Sequence, residues 1–340
     1  MIHRVSPLSR HRLFLTGAFS LLALAVSGCG GGADSAKLLE PGPVPAAVTQ
    51  AEQVNLNDFP KASGRTIAEV ASAAAGEATF GPANGTFVPG SNRLAFALIG
   101  ADGRPLYAPS VVYVASGVKG IAQGPFPAPA DPMVPQPAYL SKTAAASSGD
   151  LKSIYESEVP LPSAGKWQVL TLSKTSGGLV GAGSAVEVAA SSDIPAVGQR
   201  PPKINTPTVA SSGGNIASID TRDPHAATLH EENFADVVGK QPVALLFATP
   251  QLCQSRVCGP VTDLLLQLQA YYGKRVVAIQ QEVYNDNDLN KGLRPQLEAF
   301  NLVTEPWLFT VGADGLIKAR LEGAFGLNAM NRAIKAALPR

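Results

Sequence analysis

Two cysteines five positions apart, Cys253 and Cys258, lie in the stretch FATPQLCQSRVCGP, Phe247 to Pro260, at the end of an apolar run. Such a pair can exchange disulfides, bind a soft metal or staple a turn. Exchange needs a thiolate, which is favoured beside a positive charge or at a helix N-terminus, where unpaired N–H groups and the helix dipole lower the thiol pKa. Arg256, between the two cysteines, is a candidate for stabilising it. In a regular helix, residues five apart are separated by more than about 7 Å along the axis, beyond disulfide reach. The segment between the cysteines must therefore loop if they pair. Gly259-Pro260 suggests that the helix starts at Pro260, with both cysteines in the preceding loop. A bridge across so short a loop gains little from loop closure, which favours a redox role over an inert staple. A binding protein with a structural disulfide stays open as the alternative.

The compartment follows from the N-terminus. Arg4, Arg10 and Arg12 precede a mostly apolar run, Leu13 to Val26, of signal-peptide length and too short for a comfortable membrane span. The run ends in Val26-Ser27-Gly28-Cys29, which resembles the lipobox of bacterial lipoproteins. That resemblance implies a signal peptide over 1–28, cleavage after Gly28, and a lipidated Cys29 that anchors the protein to the bacterial cell membrane on its extracytoplasmic side. Multiple acyl chains hold stably where one does not. Of three cysteines, Cys253 and Cys258 are then left to each other in an oxidising compartment, and a disulfide between them is expected. Residues 29–60 begin CGGGADSAKLLEPGPVPAAV, a composition that reads as a flexible tether.

Composition narrows the function classes. Removing Arg4, Arg10 and Arg12 from the 27 basic residues leaves 24 against 26 acidic ones. There is no basic block, so nucleic acid is not an expected partner. No cofactor or metal site is expected either. His225 and His230 both precede the cysteines, and His230 reads as an exposed residue near a helix start. Asp286 and Asp288 lack the glycine and glutamate of a calcium-binding loop.

The elements that must position the cysteines fall in two parts. Over 61–190, NRLAFALIG, PSVVYVA, SIYESEVPLP, KWQVLTLSK and SAVEVAA alternate apolar and polar residues, with turn signals such as Asp102-Gly103 and a Pro-rich loop over 124–137. A short helix is expected within 64–76. The strand spacing is loosely similar to the immunoglobulin-like modules of bacterial surface proteins and predicts an all-β sandwich. Pro-rich residues 191–215 read as a linker.

The rhythm changes over 216–340. PVALLFAT is a continuous apolar run, expected of a strand buried on both faces. Val261, Leu264, Leu265, Leu268 and Tyr272 then recur at helical spacing. RVVAIQQEVY reads as a strand, LRPQLEAFNL as a helix, PWLFTVGADGLIKARLEG as a hairpin, and GLNAMNRAIKAAL as a closing helix. This order, with Cys253 after the first strand and Pro306 before the hairpin, resembles the thioredoxin fold over roughly 220–338. The resemblance implies an α/β domain with Cys253 as nucleophile, Cys258 as resolving thiol and Pro306, in a cis-proline position, shaping the substrate groove. The family spacing is C-x-x-C, whereas here it is C-x4-C. C-x4-C is similar to the one-domain peroxiredoxins, but their Thr-x-x-Cys and thiolate-stabilising arginine are missing. Sco-type copper proteins carry a histidine after the cysteines, which is absent here. The reading is a multidomain lipoprotein that exchanges disulfides with extracytoplasmic protein thiols or docks a partner protein.

Overall fold

The computed structural model describes residues 36–142, 144 and 151–339. The signal segment and Cys29 lie outside the described residues. The described chain forms three β-sheets and few helices.

Helix α1 (Ala46–Ala51) and helix α2 (Ile67–Ala71) precede the first strands. Helix α2 starts with a capping box in which Thr66 Oγ1 accepts from the Glu69 N–H while Glu69 Oε2 accepts from the Thr66 N–H. Strands β1 (Gly76–Glu77), β2 (Thr79–Pro82), β3 (Gly90–Ile99), β4 (Ser110–Ser116), β5 (Gln123–Pro127), β6 (Ala130–Pro132), β7 (Ser153–Leu161), β8 (Gly165–Thr175) and β9 (Gly178–Val188) follow. They form a five-stranded sheet of order β1-β9-β8-β4-β5 and a four-stranded sheet of order β2-β3-β7-β6. The two sheets face each other across Phe96, Tyr155, Val112, Val114, Trp167 and Val169. The opposite side chains of β4 and β8, Val111, Tyr113, Leu170 and Leu172, are covered by Phe59, Ile67 and Val70. The alternation of KWQVLTLSK thus serves two cores, one per face. The Pro-rich stretch expected as a loop supplies the short edge strands β5 and β6, positions where proline costs no ladder bond.

The second unit contains α3 (Phe234–Val237), β10 (Val243–Phe247), α4 (Cys258–Tyr272), β11 (Val277–Gln281), α5 (Pro295–Ala299), β12 (Trp307–Val311), β13 (Ile317–Glu322) and α6 (Leu327–Ala337). Its sheet has the order β11-β10-β12-β13, with β10 parallel to β11, β12 antiparallel to β10, and β13 antiparallel to β12. Helices α4 and α6 cover one face, through Val261, Leu264, Leu268, Met330 and Ile334. Helices α3 and α5 cover the other, with Phe247, Phe300, Trp307 and Phe309 in that core. Every residue of β10 is buried, as expected of a central strand covered on both sides.

Two segments differ from their compositional reading. Within the expected tether, Val48 and Ala51 are fully buried, and Gln267 of α4 donates Nε2 to the carbonyls of Leu38 and Glu40. Residues from Leu38 to 60 are therefore bonded into the body, with side-chain amides meeting backbone groups that a free tether would leave to water. The expected linker is likewise part of the second unit. Gly198 N–H donates to Ile317 O, Ile317 N–H donates to Gln199 O, and Ile204 enters the core beside β10.

The sandwich and the second unit are joined by buried polar contacts. Asp131 of β6 accepts from the N–H groups of Asn328 and Ala329, both at 2.8 Å, and of Gly326 at 3.2 Å, so it caps α6 from the other unit. Burial raises the pKa of its carboxyl, against the lowering by those N–H groups and by Arg332 and Arg93. Arg93 of β3 bonds Glu156 at 2.8 Å and donates to the carbonyls of Glu322 and Ala324. Burial lowers its pKa to about 10. At Gly323 (φ +70°), an added Cβ would stand 1.7 Å from Ala83 O, so only glycine allows this approach.

Candidate functional site

Cys253 follows β10 in an irregular loop, and Cys258 is the first residue of α4. The helix thus begins two residues before Pro260, and only Cys253 lies in the expected loop. Helix α4 has no side-chain cap. Cys253 Sγ approaches Ser255 Oγ at 3.2 Å, and the Cys258 thiol and the backbone of Val257 and Cys258 stabilise its charge. These contacts bring the Cys253 pKa down to about 6, led by the Cys258 thiol and opposed by burial. Cys258 is pushed the other way. Burial raises its pKa well above the ordinary thiol value, helped by its hydrogen bond to Cys253, while the Thr249 N–H lowers it. An acceptor sulfur and a donor thiol lie side by side, one 8 % exposed and one fully buried. The expected disulfide is not formed, and the pair is a free dithiol.

Arg256 is brought into the loop but not onto the thiolate. Its φ of +60° puts a non-glycine residue in the left-handed region, and its side chain is exposed. Pro306 stands one residue before β12, and the Glu305–Pro306 peptide is cis. Its carbonyl accepts from the Gly323 N–H at 2.9 Å. Glu305 lies close enough to Cys253 that the two negative groups oppose each other: burial first, then Cys253, raises its pKa. Tyr284 donates its hydroxyl to Glu305 Oε1 at 3.3 Å, and its own pKa is raised to about 12 by burial, then by Glu305 and the two cysteines. Ser255, Glu305 and Tyr284 were not singled out from sequence, and Thr249 was weighed only as a peroxidase-motif threonine, for which it stands one residue too far from Cys253. Ser255 is the sole hydroxyl residue between the cysteines and Glu305 directly precedes Pro306, so both had a signal.

Beneath the loop lies a buried polar floor. Glu282 Oε1 accepts from Thr221 N–H and Oγ1, both at 2.8 Å, and burial raises the pKa of its carboxyl. His230, expected at the surface, is 1 % exposed, with Nε2 3.8 Å from Asp220 Oδ2. It closes a one-turn helix, Ala227–His230, whose Leu229 packs in the core and carries the ring inward. Burial lowers its pKa, which keeps the ring neutral. Asp286 pairs with Lys291 at 2.9 Å. Among the described residues, no group of three histidine, cysteine or acidic side chains is arranged to hold a metal ion. No protein-family model and no curated protein sequence matches the chain.

Proposed function

We propose that the protein is a membrane-anchored, extracytoplasmic thiol–disulfide oxidoreductase, with a thioredoxin-like C-terminal domain carried beside an immunoglobulin-like sandwich. The observation that carries this reading is the asymmetry of the dithiol: Cys253 is held near pKa 6 while Cys258 is held protonated beside it. An inert pair has no need of two thiols driven in opposite directions. The parallel β10–β11 pair, the antiparallel β12–β13 hairpin, and the cysteine loop between β10 and α4 support the thioredoxin-like assignment.

In the forward step the Cys253 thiolate attacks one sulfur of a substrate disulfide. The substrate S–S bond breaks, a Cys253–substrate bond forms, and the released thiolate takes a proton from solvent. Cys258 then gives up its proton and attacks Cys253 Sγ. The second substrate thiol leaves and the Cys253–Cys258 disulfide remains, so two electrons have passed from protein to substrate. A cellular dithiol reductant must restore the pair for turnover, and the reverse sequence oxidises a substrate dithiol. Glu305, beside Cys253, opposes the thiolate when ionised and so favours transfer of that charge onto substrate sulfur.

One observation favours a second reading, a docking lipoprotein with a structural disulfide: both sulfurs are largely buried. The reduction potential separates the two. A value between about −120 and −270 mV marks an exchange centre, and one below about −300 mV marks a staple. Dithiol-dependent insulin reduction that vanishes in Cys253→Ser is the expected activity.

A further inference from the structure

A groove of about 430 Å³ runs between the sandwich and the cysteine loop. We propose that it binds an extended, cysteine-bearing polypeptide segment flanked by basic residues, and so presents protein substrates to Cys253 in preference to small anionic disulfides. The substrate preference rests on the reading of Cys253 as the attacking thiol; the binding does not.

Three observations carry it. The groove ends one residue contact from the reactive sulfur: Cys253 does not line it, but Ser255 does, and the Ser255 Oγ stands 3.2 Å from Cys253 Sγ. Its width comes from missing side chains. Gly81, Gly85 and Ala97 form the sandwich wall, opposite Ser255 and Glu305. Gly85 is not demanded by the fold, since its φ lies outside the left-handed region and an added Cβ would meet nothing nearer than Glu322 Oε1 at 4.0 Å. By contrast, Gly323 is enforced by contact with Ala83. A slot walled by small residues exposes main-chain groups, which suits an extended peptide better than a bulky side chain. Its volume falls in the range of small-ligand pockets, enough for a few residues of such a segment.

The third observation is charge. Glu305 and Glu322 both line the groove, and among the described residues no lysine, arginine or histidine lines it, the Arg93 guanidinium lying behind the wall on the Glu322 and Ala324 carbonyls. An occupant with basic residues beside its cysteine meets complementary charge, whereas a glutathione-like disulfide brings carboxylates against carboxylates. The sandwich is thereby half of a binding site and not only a spacer.

The test uses the full chain and two labelled short peptides, each with serine replacing the reactive cysteine, one flanked by lysines and one by glutamates. Binding is followed by fluorescence anisotropy. The lysine-flanked peptide is expected to bind about fivefold more tightly, the size of one partly exposed charge contact at Glu305. Gly85→Phe, which fills the groove, is expected to weaken its binding by about tenfold or more. Equal affinity for the two peptides, or no binding of either, overturns the proposal whatever Gly85→Phe does to folding. Unchanged binding in a Gly85→Phe protein that melts like wild type also overturns it. Reaction of the wild type with bis(2-hydroxyethyl) disulfide tests the redox reading separately. Its failure would remove the exchange activity while the peptide result stood by itself.

Discussion

Removing the Cys258 thiol should raise the pKa of Cys253, because that thiol is the leading influence holding it near 6. A hydrogen bond to a charged acceptor contributes about 1.5–3 kcal/mol, and about 1.4 kcal/mol corresponds to one pH unit. Cys258→Ala should therefore move the Cys253 midpoint to roughly 7–8. At pH 7 the thiolate fraction would fall from about 90 % to between about a half and a tenth. The assay is the pH dependence of iodoacetamide alkylation of the reduced protein, read at the Cys253 peptide by mass spectrometry so that Cys29 and Cys258 do not contribute. Cys258→Ser keeps an O–H donor and should hold the midpoint within about half a unit of wild type. A Cys258→Ala midpoint still near 6 would refute the reasoning and leave Ser255 and the backbone of residues 257 and 258 as sufficient. Stability must follow the same group. Its folded pKa is depressed, so the reduced protein should gain stability over Cys253→Ser as pH rises from about 6 to the unfolded thiol value near 8.5, and lose it as pH falls through 6. Cys258, with its raised pKa, works in the opposite sense above that window.

The remaining predictions concern what holds this site in place. Asp131→Ala strips three N–H groups at the start of α6 of their acceptor and should cost about 2–3 kcal/mol in chemical denaturation, with Asp131→Asn milder. Arg222→Ala leaves Asp263 without the guanidinium 2.7 Å away in a pair that is 4 % and 0 % exposed, and should cost about 3–5 kcal/mol by the same measurement. Under the proposed function, Cys29→Ser should abolish incorporation of labelled fatty acid into the protein, and label retained in the variant would refute lipidation at that residue.

What was legible in the sequence was local. The run VALLF announces a strand covered on both faces, and Val261, Leu264, Leu265, Leu268 and Tyr272 are all buried on α4 as their spacing requires. Pairing was not legible, because partners are far apart in the chain. Strand β3 pairs with β7, and β4 with β8, across more than fifty residues. The segment before residue 60 misled for a related reason. It is broken by glycine and proline, and its order depends on the donating side-chain amides of Gln136 and Gln267 that only the assembled fold brings near. At the site, the charge of Arg256 drew attention that its left-handed backbone and exposure do not support. The neutral hydroxyl of Ser255 sits on the thiol instead.

The sandwich and the dithiol are mechanically linked through one short stretch, Glu322 to Ala324. Arg93 holds the carbonyls of Glu322 and Ala324, the Thr86 N–H donates to Glu322 Oε2 at 2.8 Å, and Ala83 O accepts from the Ala324 N–H. That same stretch donates from the Gly323 N–H to Pro306 O, next to the Glu305 carboxyl that faces Cys253. A displacement of the sandwich therefore reaches the thiol through two hydrogen-bonded steps. Because these contacts are short, partly buried and made largely to backbone groups, the two units are expected to move as one body near the site. Under the proposed function a lipid anchor would set where the groove faces, and the sandwich would set what fits in it.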